Sequence, residues 1–85
     1  MDQKFIDIGY SSYINASRIV SVLNPDSDPI RRQIKLAEKE GRLCKATFGR
    51  KAESMLVMDN GIVYLSALQT KTIIERIEGS NKKSS

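Results

Sequence analysis

The strongest local constraint on the fold is an asparagine–glycine pair between two short apolar runs. Asn60 and Gly61 follow the run Met55–Met58 and precede the run Ile62–Leu65. Both residue types tolerate positive backbone φ angles, so the pair is typical of the tight turn of a β-hairpin. The sequence therefore predicts two adjacent antiparallel strands in the C-terminal half of the chain.

A well-marked helix is predicted before this hairpin. Asp28 can accept hydrogen bonds from the free N–H groups of a first turn, with Ser27 as the alternative N-cap. Pro29 suits the first helical position, where no donor is needed. The helix is predicted from Pro29 to Glu40, where Ile30, Ile34 and Ala37 fall at helical spacing. Gly41 suits the left-handed residue that often ends a helix.

The remaining elements are predicted from shorter runs that are rich in β-branched and aromatic residues. A polar turn is expected over residues 10–13. The other predicted elements are, in order, strands at 5–8, 18–23 and 43–48 and a short helix at 70–77.

The length and the order of the elements predict one small domain. A chain of 85 residues is near the small end of what folds alone, which favours self-association. The domain is expected to span residues 1–77, with a disordered polar tail at 78–85. Strands, a helix, strands and a helix predict the α+β class: a small antiparallel β-sheet domain with one central helix and a short C-terminal helix.

Positive charge is concentrated in the middle of the chain. The segment Arg31–Lys51 holds eight of the 14 basic residues and two of the ten acidic residues, a balance of +6. Since the whole chain carries +4, the rest of it sums to −2. A compact positive segment favours a polyanionic partner such as a nucleic acid, and a solvated helix face followed by a charged turn is the alternative explanation.

Several classes of protein are disfavoured by composition. The chain has no His, which removes the usual general base and the commonest zinc ligand. Cys44 is the single cysteine and cannot form an internal disulfide, which suits a reducing compartment. No apolar run approaches the roughly 20 residues of a membrane span. We therefore expect a cytoplasmic, non-enzymatic protein with no cofactor, no metal, no membrane association and no small-molecule substrate.

The segment Gly49–Lys51 is the sharpest local feature for binding. The strand at 43–48 is expected to pair with residues 54–58, which would place this segment at the tip of a hairpin. Its two adjacent cations repel each other and gain nothing from burial, whereas Arg and Lys both bind phosphate well. An ordinary surface turn whose charge is balanced by Glu53 is the alternative.

Other candidate binding residues are individually ambiguous. Arg18 opens an apolar strand, where a charge either protects a sheet edge or faces a ligand. Arg31 and Arg32 lie on the predicted helix, where a phosphate contact and a solvated face are both plausible. Tyr10 and Tyr13 are able to stack on bases, although such residues more often belong to a core or an interface.

Six motifs of this chain occur in the order and spacing of a known family. They are Ile8–Tyr10, Ile14–Val22, Asn24–Arg32, Ala46–Lys51, Val57–Asp59 and Leu65–Ala67. With these motifs the chain resembles the RemA family, bacterial regulators of extracellular-matrix genes, over residues 4–77.

The resemblance implies a sequence-selective, DNA-binding transcriptional activator that is similar to LytTR-type domains. It also implies assembly into a ring-shaped homo-oligomer, for which an octamer is a candidate size. The family's DNA-binding residues carry over onto Arg18, Arg50 and Lys51. Lys51 stands where family members often have Arg, which keeps the charge but loses one guanidinium fork. Pro29 also matches an important position, where it supports the helix start.

The expected function is therefore an oligomeric regulator that binds double-stranded DNA and activates extracellular-matrix or biofilm genes. Phosphate and base contacts along a basic rim would be repeated by each subunit, which raises avidity. A non-enzymatic adaptor that binds an acidic protein is the alternative, and RNA binding is also compatible with the charge. The candidate DNA-binding residues are Arg18, Arg31, Arg32, Arg50 and Lys51.

Overall fold

A computed structural model describes residues 4–81. They form three layers, and the middle layer is a four-stranded sheet. A 3₁₀ turn, Ala16–Arg18, precedes the first strand of this sheet. The elements are β1 (Phe5–Asp7), β2 (Tyr13–Asn15), β3 (Ile19–Leu23), α1 (Asp28–Lys39), β4 (Leu43–Ala46), β5 (Ser54–Met58), β6 (Val63–Ser66) and α2 (Thr70–Asn81).

The sheet has the strand order β3-β5-β6-β4 and is mixed rather than wholly antiparallel. Strand β5 pairs antiparallel with both β3 and β6, whereas β4 pairs parallel with β6. The predicted hairpin between residues 43–48 and 54–58 is therefore wrong. Both edges of β5 are already occupied, so β4 adds to the free edge of β6. The segment 47–53 crosses one intervening strand, a gap of about 10 Å, and is not a hairpin tip.

The predicted hairpin between β5 and β6 is confirmed, with a different turn. Gly61 alone in this turn has a positive φ, +88°. The Gly61 N–H donates to the Met58 carbonyl at 3.1 Å, and the Ile62 N–H donates to Oδ1 of Asn60 at 3.1 Å. A type I turn that ends in a left-handed glycine joins the strands, because the loop has more than two residues.

The polar turn predicted over residues 10–13 is confirmed except at Tyr13, and it joins two strands of an N-terminal hairpin, of which the second was not predicted. Strand β2 begins at Tyr13 and pairs antiparallel with β1, so that Ile6 lies opposite Ile14. Both isoleucines are buried. The turn contains Tyr10 and Ser11, both with positive φ.

Helix α1 is close to the prediction at both ends. Ser27 is the N-cap residue, although its side chain makes no capping hydrogen bond, and Asp28 is already helical. Gly41 has a φ of +75° after the helix, and the Arg42 N–H donates to the Ala37 carbonyl at 2.8 Å. This is the hydrogen-bonding pattern of a glycine-terminated helix.

The core lies on both faces of the sheet because β5 is apolar from Met55 to Met58. Met55 and Val57 pack toward Ala37 of α1, whereas Leu56 and Met58 pack toward the N-terminal hairpin and α2. Alternate residues of a strand face opposite sides, so this one strand serves two apolar clusters.

Helix α2 extends to Asn81, four residues beyond the predicted end at Ile77. Ile73 is fully buried and Ile77 is partly buried, as predicted, but Ile74 is 40% exposed. The predicted tail extends to residue 85, and positions 82–85 lie outside the described residues.

The sheet register defines two ends of the four-stranded sheet. The strands span four residue steps, so the ends are about 13 Å apart. The turn end, beside the β5–β6 turn, consists of Ile19, Leu43, Met58 and Val63. The loop end, beside the segment 47–53, consists of Leu23, Ala46, Ser54 and Ser66.

Candidate nucleic-acid interface

Arg18 lies at the turn end of the sheet, held by the 3₁₀ turn. Asn15 caps this turn, and its Oδ1 accepts hydrogen bonds from the Ser17 N–H at 3.0 Å and the Ser17 hydroxyl at 2.7 Å. The Arg18 carbonyl accepts a hydrogen bond from the Asp59 N–H at 2.9 Å. Its Nη1 is 3.0 Å from Oδ2 of Asp59, and the Arg18 side chain is 59% exposed. Arg18 is therefore accessible and also paired with an acid.

Arg50 and Lys51 lie at the loop end, in the segment that joins β4 to β5. Both are exposed, and the Arg50 N–H donates to the Thr47 carbonyl at 3.0 Å. The ion pairs found within residues 4–81 include neither cation and do not include Glu53. The balancing role considered for Glu53 is not observed. The two cations are thus available to an external anion.

Arg31 and Arg32 are exposed near the start of α1. The helix follows the end of β3, so its start lies at the loop end, but on the opposite side of the sheet from the N-terminal hairpin. Nη1 of Arg31 is 3.8 Å from Oδ1 of Asp28. A surface pocket of about 290 Å³ is lined by Asp28, Arg31, Arg32 and Lys35. Three of its four lining residues are cationic, which suits an anion better than an apolar ligand.

The five candidate cations predicted from the sequence thus lie at two different ends of the sheet. Arg50 and Lys51 are neighbours, and Arg31 and Arg32 lie at the same end in another layer. Arg18 is at the other end, about 13 Å away along β5. Within one protomer the five cations therefore do not form a single patch.

An exposed aromatic pair next to Arg50 was not predicted as a unit. The ring centroids of Tyr10 and Phe48 are 5.1 Å apart, and the rings are tilted by 52°. The guanidinium carbon of Arg50 is 5.9 Å from the centroid of the Tyr10 ring. Gly9 and Gly49 flank the two aromatic residues and signal turns, but nothing local in the sequence shows that these turns meet.

An open groove of about 310 Å³ lies beside Arg18 at the turn end. Its lining includes Phe5, Tyr64 and the Arg18–Asp59 ion pair. Within residues 4–81, no three potential metal ligands of the Cys, Asp and Glu type are grouped together. Over the same residues, neither helix combines the length and the apolarity needed to cross a bilayer. The distinctive features of this surface are its cations and its exposed aromatic side chains.

Comparison with known proteins places this arrangement in a family. A relative from Coprothermobacter proteolyticus is 45% identical over 78 residues, which cover 92% of this chain and 74% of that protein. A relative from Geobacillus kaustophilus is 42% identical over 81 residues, covering 95% and 93%. A relative from Dictyoglomus turgidum is 45% identical over 80 residues, covering 94% of each chain.

All three relatives are named as regulatory proteins, and none has the name of an enzyme. Residues 5–77 match the RemA-like family, which is described as extracellular matrix regulatory protein A-like. The matched segment includes all five nominated cations and the aromatic pair. The family and the names of the relatives indicate a regulatory protein rather than an enzyme. This chain belongs to the RemA-like family of regulatory proteins.

Proposed function

We propose that this protein is a DNA-binding transcription regulator of the cytoplasm, similar to LytTR-type domains, that activates extracellular-matrix genes. The observation that carries the proposal is the pair Arg50 and Lys51, exposed at the loop end without an acidic partner among the described residues. Membership of a regulatory family supports the proposal. Arg18, Arg31 and Arg32 supply the further phosphate or base contacts.

Electrostatics favours duplex DNA as the partner of this pair. Each cation that neutralises a phosphate releases a condensed counterion, and this release drives binding without any burial of apolar surface. Arg50 adds a planar fork of donors that matches phosphate oxygens, whereas Lys51 acts as a point charge. Two contacts give weak binding, so several subunits are needed for useful affinity.

We further propose that the protein assembles into a ring, with an octamer as the candidate size. Strands β3 and β4 each have one edge without a neighbouring strand within residues 4–81. Val20 of β3 is 64% exposed and Leu36 of α1 is 43% exposed, so apolar surface is available for subunit contacts. A head-to-tail ring would repeat both ends of the sheet around its rim and thereby multiply the phosphate contacts.

Fluorescence anisotropy with a labelled promoter duplex tests DNA binding directly. The affinity should fall steeply as salt rises, because each phosphate contact contributes a slope of about −0.9 in a plot of log K against log salt. Arg50→Ala and Lys51→Ala should each weaken binding and make this slope shallower. Lys71→Ala, which removes an exposed cation of α2, is the matched control.

Two results would contradict the proposal. One is a wild-type protein that ignores duplex DNA even at low salt. The other is unchanged binding by Arg50→Ala and Lys51→Ala relative to Lys71→Ala. Light scattering with and without the duplex tests the assembly separately, and a strictly monomeric mass in both states contradicts the ring.

A further inference from the structure

We propose that Tyr10 and Phe48 form a non-ionic DNA contact that packs on the sugar and base edges of a duplex groove. Arg50 and Lys51 would bind the adjacent phosphates. This inference rests on the proposed DNA binding and deepens it, because it adds a contact that salt does not screen. It also assigns a role to an aromatic pair that the charges do not explain.

The exposure of the pair argues against a role in the core. Tyr10 is 49% exposed and Phe48 is 65% exposed, although the chain has only five aromatic residues with which to fill a core. The two rings contact each other, with centroids 5.1 Å apart, rather than packing inward. Phe5 and Tyr13 are also exposed, but no cation–π contact is found at either one within residues 4–81.

The backbone under both aromatic residues adopts an unfavourable conformation. Tyr10 has a φ of +55° and Phe48 has a φ of +50°, the left-handed region that bulky residues rarely adopt. Each such residue costs about 1–2 kcal/mol. Asn or Gly would fit these positions with less strain, so stability does not explain the choice of aromatic residues. Strain of this kind clusters at functional sites.

Local hydrogen bonds hold both strained segments in place. In the first segment the Ser12 N–H donates to the Gly9 carbonyl at 3.0 Å, and the Ile8 N–H donates to the Ser12 carbonyl at 2.8 Å. In the second, the Arg50 N–H donates to the Thr47 carbonyl at 3.0 Å. Two turns that are distant in sequence thus present one exposed pair of rings, already ordered before any partner binds.

The cations beside the two rings favour a nucleic acid as the binding partner of the aromatic pair. The Arg50 guanidinium carbon lies 5.9 Å from the Tyr10 ring centroid, and Lys51 follows directly. Aromatic rings beside cations match a polymer in which apolar sugar and base surfaces alternate with phosphates. A symmetric contact between two copies through this site would bring Arg50 and Lys51 against their own counterparts, so the subunit contacts of the ring are expected at other surfaces. Apolar side chains also act as wedges at duplex grooves in other DNA-binding proteins.

Phe48→Asn and Tyr10→Asn are the informative variants, because Asn tolerates positive φ better than an aromatic residue. Urea unfolding should show unchanged or greater stability, whereas anisotropy should show DNA binding weakened about fivefold or more. The salt slope should stay at the wild-type value, because no phosphate contact is removed. Tyr13→Asn removes a ring that is 61% exposed but makes no ring or cation–π contact within residues 4–81, so it should bind like the wild type.

The outcomes separate this inference from the proposed function. If the wild type binds the duplex and both Asn variants bind equally well, the inference is wrong and DNA binding stands. If light scattering shows that the variants form a smaller assembly, the pair is a subunit contact and the inference is also wrong. Failure of the wild type to bind any duplex overturns the proposed function, and the inference falls with it. Tighter binding to a matched RNA duplex than to the DNA duplex would also overturn the proposed DNA-binding function.

Discussion

Replacing Asp59 by Asn should strengthen DNA binding, because this carboxylate competes with phosphate for Arg18. Oδ2 of Asp59 is 3.0 Å from Nη1 of Arg18, and the two side chains are 45% and 59% exposed. Arg has five N–H donors, so a phosphate can approach the guanidinium from another side. It would then lie about 6 Å from the carboxylate, where two unit charges in water repel by about 0.7 kcal/mol.

This repulsion sets the expected magnitude of the effect. About 0.7 kcal/mol corresponds to roughly threefold tighter binding for each subunit that engages the duplex at low ionic strength. The Debye length falls to about 8 Å at 0.15 M salt, which reduces the gain to less than about twofold. The fold itself should lose about 0.2–1 kcal/mol, as is usual for an exposed ion pair.

Anisotropy titrations of wild type, Asp59→Asn, Arg18→Ala and Glu75→Gln measure this effect. Glu75 is an exposed acid of α2, so its substitution controls for a general gain of one positive charge. If Asp59→Asn binds as weakly as Arg18→Ala, the carboxylate orients the arginine for DNA and does not compete. If Arg18→Ala itself has no effect, Arg18 does not contact DNA, and Asp59 has no phosphate contact with which to compete.

Three further outcomes are expected. Leu56→Ala should lower the free energy of unfolding by about 2–5 kcal/mol in urea titrations, because Leu56 is fully buried in a central strand; Lys71→Ala, at an exposed side chain of α2, should change it by about 0.5 kcal/mol or less. Gly41→Ala should cost about 1 kcal/mol in the same assay, because φ is +75° and no neighbouring atom would clash, while DNA affinity stays unchanged. Lys51→Arg should tighten duplex binding modestly without altering the salt slope, because it restores a guanidinium fork at equal charge; weaker binding would show that a point charge is required there.

The parts of the fold that could be predicted are those that depend on short-range signals. Gly41 marks the end of α1, and the Asn60–Gly61 turn marks the β5–β6 hairpin, because each acts within a few residues. The parallel pairing of β4 with β6 depends on which sheet edge is still free, which residues 43–46 do not encode. Strand β2 was missed because Tyr13–Asn15 has only three residues and pairs through one buried side chain, Ile14.

The candidate site shows the same limit. Charge, position in the predicted elements and the family resemblance together predicted the five cations, and all five are exposed, because charged side chains remain at the surface. Their division between two ends of the sheet depends on strand register and was not predictable. The contact between Tyr10 and Phe48 joins turns from separate segments, so it exists only in the folded chain.

Ion pairing narrows the basic segment of the sequence to a smaller functional surface. Arg42 bonds to the Gly61 carbonyl at 2.8 Å and pairs with Glu40 at 2.6 Å, so its charge is committed to the fold. Lys45 is 3.7 Å from Glu38. Such pairs cancel locally and present little field to a distant anion. The cations of the segment that have no such acid among the described residues are Arg32, Lys35, Lys39, Arg50 and Lys51. The last two are adjacent in sequence and lie at the loop end, so the unpaired positive charge is densest there.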